Sequence, residues 1–430
     1  MMLFKKNILI LLGCACVVLG GLLLKTACKK EAQFPVYPEY VVDIGKSYKE
    51  NISFLIADVR YKEGSLKFLE LGVGLTSRFS GYENYFYEGI LWERFWLFLK
   101  QFNLPVWFVS FRSLKTVHDV ELIRKRFSID AFEKNGWTFC PSFNHLAQNQ
   151  AFLQCAQKPL VVNPEKFNYK GIIVTRPEHS YKWSDIEKHC KCACKKCADV
   201  RLAKARYKDF LFIDEMTAVY AAHKNVMAKL FFDEPLFQYR PHYKIVKKHY
   251  KKTLAQEIIQ QFKCNKFVVK PLNAFKGRGI IIVSKDNLDM ILKYIIDEPY
   301  RFKNSDDTSY KYWFSDKNDV LIVESYESSK PVKLKNKLYD ATLRVVYTLH
   351  YLDGKIHLNF LGEYWKLPSK SLSDQGSLIE VCKSNVHRPG IMSLLVDNVD
   401  TAGVHELLKR SLPLMYEKML KRENPYAHVE

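Results

Sequence analysis

Polar and apolar positions alternate with a period of two in several short runs and recur every three to four residues in others. Strands and helices can therefore be separated before any chemistry is considered. Ile52 to Val59 and Leu66 to Leu71 are strand-like, and the turn signal Glu63-Gly64 between them predicts a β-hairpin. Tyr85 to Phe102 is aromatic-rich with helical spacing, Val106 to Ser110 reads as a buried strand, and Val120 to Asn135 as a charged helix ending at Gly136. Leu160 to Val162, Gly171 to Thr175 and Phe210 to Ile213 are further short strands. Thr217 to Phe232 has helical spacing and stops before Pro235, while Tyr239 to Lys252 reads as a basic, solvated helix face. Phe267 to Val269 and Ile280 to Val283 are β-branched runs, and Asp286 to Tyr294 is helical. Lys311 to Lys317 looks like a polar turn before the buried strand Asp319 to Tyr326. Tyr339 to Leu349 and Lys355 to Leu361 pair as a hairpin about Asp353-Gly354, with Gly362 to Pro368 continuing the sheet edge, and 402 to 422 forms an amphipathic helix. Strands interleaved with helices in this way predict an α+β fold.

Composition adds a boundary at each end of this picture. Ile8 to Leu24 is an uncharged, almost wholly apolar run of seventeen residues flanked by Lys5, Lys6 and Lys25, Lys29, Lys30. That length suits a membrane anchor or uncleaved signal, with the body expected on the cytosolic side and export after cleavage as the alternative. Residues 31–50 carry Pro35 and Pro38 and read as a linker. The expected body comprises an α/β region over 51–209 and two further units over 210–300 and 301–430. A hydrophobic content of 48% with 14% aromatics excludes a disordered chain, and a formal charge of +20 calls for an anionic partner: nucleotide, nucleic acid or membrane surface. No RNA-recognition signature accompanies the charge. The eleven cysteines form no disulfide framework for so long a chain. Cys190, Cys192, Cys194 and Cys197 could fill a tetrahedral zinc site, although their CxC spacing and the lack of a second cluster suit a basic loop as well.

The chemistry concentrates in Lys266 to Val283. A strand delivers Lys270, a loop ends in Lys276-Gly277-Arg278-Gly279, and a second strand follows. Glycines let backbone approach a ligand closely, and three cations suit a polyphosphate. The GxxxxGK[ST] loop is absent, and a loop that returns to a strand is not of that architecture. Two carboxylates, Asp58 and Glu70, sit inside apolar strand runs of the first hairpin, where each needs a partner such as a metal ion. The glycine- and hydroxyl-bearing stretch Leu71 to Gly81 follows them.

The order of a lysine-bearing helix, a Lys-Pro strand with a KGRG loop, a strand ending in VESY and a DxxxR strand resembles the ATP-grasp enzymes from about Asp214 to Pro389. The resemblance implies two subdomains clasping ATP with Mg2+. It implies Lys270 and Lys224 on the phosphates, Lys276 to Gly279 as their flexible cover, and Glu324, Ser325 and Tyr326 as the hinge against adenine. Arg344 would then act on the transferring phosphoryl group, and Asp340 would orient Arg344 or the loop. The family's late Glu-x-Asn pair has no match: Glu380 and Asn385 are too far apart to share one strand face. The segment from Asp58 through KFLELGVGLTSRFSG is similar to the magnesium-binding end of circularly permuted members such as eukaryotic-type glutathione synthetase. Glu70 then matches the family's glutamate, Asp58 supplies a second carboxylate, and Gly72 stands where asparagine is expected. The implied activity is ATP-dependent ligation of an amino-acid or peptide-like carboxylate to an amine or thiol through an acylphosphate. A membrane-tethered nucleotide-binding scaffold and a basic nucleic-acid-binding protein are the competing expectations.

Overall fold

The computed structural model describes residues 37–110, 116–160, 167–175, 209–222, 224–272, 277–384 and 392–421. The apolar segment 8–24, the cysteine cluster, Lys276 and Asn385 lie outside them. Among the described residues no helix is long and apolar enough to cross a membrane.

Strands β1 (Tyr40–Asp43), β2 (Asn51–Lys62) and β3 (Ser65–Val73) open the described chain. Strands β4 (Val106–Val109), β5 (Thr138–Cys140), β6 (Gly171–Val174) and β7 (Phe210–Phe212) then build a parallel sheet in the order β5-β4-β6-β7. Strands β8 (Tyr243–Lys247), β9 (Lys266–Pro271), β10 (Ile281–Ser284) and β11 (Val320–Ser325) form an antiparallel sheet in the order β10-β9-β11-β8. A small ribbon, β12 (Val332–Leu334) and β13 (Lys337–Tyr339), leads into β14 (Thr342–Leu352), β15 (Lys355–Lys366) and β16 (Ser393–Leu395). The last three complete the largest sheet, β1-β15-β14-β2-β3, with β16 on β15.

Both predicted hairpins form where turn chemistry and period-two patterning agree. β2 and β3 meet at Glu63-Gly64, and β14 and β15 at Asp353-Gly354, whose φ values of 45° and 73° are the left-handed pair that such a two-residue turn requires. Other expectations are corrected. The supposed linker contains β1, whose backbone pairs with β15, and β15 is thus an interior strand. Residues 243–247 are strand β8, hydrogen-bonded to β11, where a solvated helix was expected. Thr308–Ser315 is helical, N-capped by Asp307, where a turn was expected. Within the helix read over Thr217 to Phe232, Ala218–Ala222 and Lys224–Lys229 are helical, and residue 223 lies outside the described residues. A unit boundary at residue 300 does not follow the sheets either, because β11 completes the sheet of β8 to β10 while β2 and β3 join β14.

The largest sheet is covered on both faces, which is why β2 is buried along nearly its whole length. Leu55, Ala57 and Val59 pack with Val345, Tyr347 and Leu349 against Val404, Leu408, Leu412 and Tyr416 of helix Asn398–Leu420. On the opposite face Ile52, Phe54 and Ile56 pack against Trp92, Phe95 and Trp96 of helix Ile90–Lys100 and reach the parallel sheet through Phe108 and Ile172. Beyond Ile56 this second face turns charged, with Asp58 and Arg60, and the functional site begins there.

Asp214 occupies the junction after β7 with a φ of 63° and no solvent exposure. Its Oδ1 accepts the Phe54 amide at 2.7 Å, while Oδ2 has no partner among the described residues. Burial raises its pKa well above the ordinary carboxylate range. The folded state therefore holds this proton more tightly than the unfolded chain, and the associated stability is lost as pH rises through the folded pKa. Asp214→Asn keeps the acceptor and tolerates the left-handed backbone. Thermal melts at roughly pH 5 and pH 8 should show the variant gaining on the wild type as pH increases.

Candidate functional site

The charged face is ordered by strand register. Glu70 of β3, Asp58 of β2, Arg344 of β14 and Tyr364 of β15 are successive cross-strand partners, forming one transverse row. Glu70 reaches this row because of a β-bulge. Asp58 pairs with Glu70 but Val59 pairs with Phe68, so Leu69 is the extra residue. Without it, Glu70 would share the face of Leu66 and Phe68 in the apolar core; the bulge turns it outward and returns Leu71 to that core.

Asp58 is wholly engaged. Arg344 grips it in a bidentate pair, Nε to Oδ1 at 2.7 Å and Nη2 to Oδ2 at 2.8 Å, and Lys366 donates to Oδ2 at 2.7 Å. Burial works against its charge, but Arg344 and then Lys366 prevail and hold its carboxyl below the usual range. Asp58, expected as a metal ligand, is thus the counterion that fixes Arg344 and Lys366. Both oxygens face cations, leaving none turned toward a further one. Burial also opposes the charge of Arg344, yet Asp58 and Tyr364 raise its pKa above the ordinary value. Lys366 moves the other way: burial and Arg344 depress it, with partial compensation from Asp58.

A second cluster faces this one from the sheet of β8 to β11. Phe267 and Val269 of β9 and Leu321 and Val323 of β11 point into their own core. By alternation, Lys270 and Glu324 occupy the other face. Glu324 is buried and bridges Lys270 and Arg240. Arg240 also donates to the carbonyls of Phe68 and Leu69 at 3.1 and 3.3 Å, so one guanidinium ties the bulge of β3 to the carboxylate of β11. Burial lowers Lys270, with Arg240 adding to the effect and Glu324 opposing it. Lys224 is likewise lowered by burial and partly restored by Glu70.

Glu70 joins the two clusters electrostatically. Its charge raises Lys224, Lys270, Arg344 and Lys366 alike, yet its half-buried carboxylate makes no hydrogen bond or ion pair among the described residues. Of the residues named for magnesium, Glu70 has a carboxylate that no described residue engages, whereas both oxygens of Asp58 face cations. Gly72 contributes no donor, and a Cβ there would lie 2.7 Å from Cγ1 of Ile56. An ion beside Glu70 would draw its remaining ligands from water or phosphate, as magnesium commonly does.

The other expected residues fall around this centre. Asp340 does not orient Arg344. It pairs with Arg60 at 2.9 Å, accepts the Ser329 amide at 2.9 Å and receives the Tyr326 hydroxyl at 2.6 Å. It thereby fastens the chain leaving β11 to the largest sheet. Glu324, expected at the adenine, is the lysine counterion just described. The Ser325 and Tyr326 amides are committed to the carbonyls of His242 and Lys266 at 2.8 and 2.9 Å, and the Ser325 hydroxyl donates to Glu327. Gly277 and Gly279 have φ values of 71° and 70°. Gly279 donates to Thr308 at 3.3 Å and passes so close to Pro271 that a Cβ would lie 2.6 Å from its ring, while Arg278 is exposed.

Arg240 and Lys366 were missed in the sequence reading. The signal for Lys366 was present, a lone cation in the apolar run YWKLP. Arg240 had none, since it lies in a generally basic stretch. Among the described residues the assembled site holds five cations (Lys224, Arg240, Lys270, Arg344, Lys366) against three carboxylates (Asp58, Glu70, Glu324). A partly desolvated surplus of positive charge is arranged to receive an anion carrying more than one negative charge.

No protein-family model matches the chain, and no curated protein matches it significantly. Solved structures do. The chain is similar to a protein assigned as a gamma-glutamylcysteine synthetase from Methylobacillus flagellatus KT, at 10% identity over 87% of this chain and 90% of that one, with a TM-score of 0.40. It is similar to a glutathione synthetase-like effector from Globodera pallida, at 10% identity over 75% of each chain and a TM-score of 0.35. It is also similar to a RimK domain ATP-grasp protein from Sphaerobacter thermophilus, at 10% identity over 74% of this chain and 100% of that one, with a TM-score of 0.28.

Proposed function

We propose that this protein is an ATP-dependent ligase that joins an amino-acid or peptide-like carboxylate to an amine or thiol. The observation that carries the reading is the convergence of five cations on three carboxylates where two sheets face each other. In this reading Lys270 and Lys224 neutralise the α- and β-phosphates, and the loop through Gly277 and Gly279 covers them. Arg344 and Lys366, held by Asp58, stand against the γ-phosphoryl group. Glu70 would hold Mg2+, which supplies charge neutralisation on the phosphates. A substrate carboxylate oxygen attacks the γ-phosphorus, the bond to ADP breaks, and an acylphosphate forms. The amine or thiol then attacks the acyl carbon, its proton passes to solvent or phosphate, and inorganic phosphate leaves. Catalysis of this kind rests on positioning and charge neutralisation and requires no covalent bond to the protein. A body on the cytosolic side of a signal anchor would have access to ATP.

The engagement of Asp58 and the missing side chain at Gly72 support a second reading, a nucleotide-binding protein without turnover. Phosphate release with MgATP and a panel of amino-acid and dipeptide carboxylates, each with amine and thiol acceptors, separates the two. Acceptor-dependent release is expected. Tight ATP binding without release for any pair would establish the second reading instead.

A further inference from the structure

Far from this centre, on the same face of the largest sheet, two imidazoles lie parallel. His350 of β14 and His357 of β15 are direct cross-strand partners, with ring centroids 4.1 Å apart and planes inclined by 11°. Six residues of strand separate His350 from Arg344, about 20 Å at a strand's rise. His350 is only 4% exposed and is walled by the rings of Phe98, Phe102 and Phe167. Glu39, just before β1, reaches over the pair, and its Oε1 is held by Nδ2 of Asn359 at 3.0 Å.

A His–Glu pair accounts for one imidazole of this arrangement but not for the other. Nδ1 of His357 lies 3.3 Å from Oε2 of Glu39, within reach of its carboxylate, whereas the buried Nδ1 of His350 has no hydrogen-bond partner among the described residues. Leaving that buried nitrogen unsatisfied is unfavourable. One ligand atom from each of Glu39, His350 and His357 falls within 4.8 Å of the others. Bonds of about 2.0–2.2 Å to a tetrahedral metal place neighbouring ligands roughly 3.3 Å apart. The His357–Glu39 separation already matches such an edge, and because the two rings lie parallel, closing the triangle requires them to turn until one nitrogen of each converges on the ion. The Asn359 contact is the kind of outer hydrogen bond that orients a ligating carboxylate.

We propose that Glu39, His350 and His357 bind a divalent transition-metal ion of the zinc class, with water completing its coordination. Two imidazoles and a carboxylate suit zinc better than magnesium or calcium, which favour oxygen. The ion would fasten the chain entering β1 to the β14–β15 hairpin. Because the site stands apart from the charged centre, it is independent of the ligase reading.

The test uses the full chain carrying Cys190→Ser, Cys192→Ser, Cys194→Ser and Cys197→Ser, so that the cysteine cluster cannot supply zinc ligands. Zinc is titrated in competition with a chromophoric chelator, and cobalt is substituted to read ligand type. One tight equivalent is expected, with a tetrahedral cobalt spectrum lacking thiolate charge-transfer bands and a higher melting temperature on zinc addition. Glu39→Gln and His357→Gln should each weaken binding by at least about tenfold and abolish the thermal shift. Glu39 is exposed, so Glu39→Gln decides the question even if His357→Gln does not fold. No bound equivalent in the parent, or unchanged affinity in Glu39→Gln, overturns the proposal.

Discussion

Arg344→Ala is expected to lower acceptor-dependent phosphate release by about 10²–10³-fold, the range found when one donor aimed at developing transition-state charge is removed. The loss should fall on kcat more than on KM for ATP, because the residue is assigned to the transferring phosphoryl group and not to the α- and β-phosphates. Arg344→Lys should recover little, since a point charge cannot reproduce the bidentate grip on Asp58. Folding survives because Lys366 still neutralises Asp58. Asp58 provides the control for structural damage. Its depressed carboxyl contributes stability that is complete above the ordinary carboxylate pKa and is lost as pH falls through the folded one. Taking away Arg344 raises that folded pKa, so the variant should unfold at a higher pH than the wild type in an acid titration followed by circular dichroism. Full turnover in Arg344→Ala would remove the residue from the mechanism.

Glu324→Gln should be the most destabilising single change at the site, by about 3–5 kcal/mol, because it leaves Lys270 and Arg240 buried without their shared counterion. The same change makes the site more positive. A bound triphosphate then supplies the missing charge, so saturating MgATP should raise the melting temperature of the variant by more than that of the wild type. Denaturant melts with and without MgATP measure both effects. An equal shift in the two proteins would mean that the nucleotide does not meet Lys270.

Lys270 was legible because a lysine closing an apolar run beside a glycine loop is an unusual pattern, and both hairpins were legible because their turn residues and alternation agree. Asp58 and Glu70 were legible as charges needing partners, but not by role. Alternation assigns a residue to a face only while the register is regular. One extra residue, Leu69, reverses the face on which Glu70 lies, and nothing local marks it. The strand at 243–247 and the helix at 308–315 were misread for a similar reason: pairing with β11 and capping by Asp307 outweighed weak local preferences.

By itself the amino-acid sequence determined the interleaving of strands and helices, the two hairpins, the basic glycine loop and the charges awaiting partners. These are consequences of short-range spacing. Only the tertiary structure decided that β2 lies beside β14, nearly three hundred residues later, with β3 on its far side, and that Arg240 joins the bulge to Glu324. It alone made Asp58 the counterion of Arg344 and Lys366 and left Glu70 without a direct partner among the described residues. Long-range pairing depends on which surfaces bury each other, and the environment of a buried charge is set by whatever those surfaces bring to it.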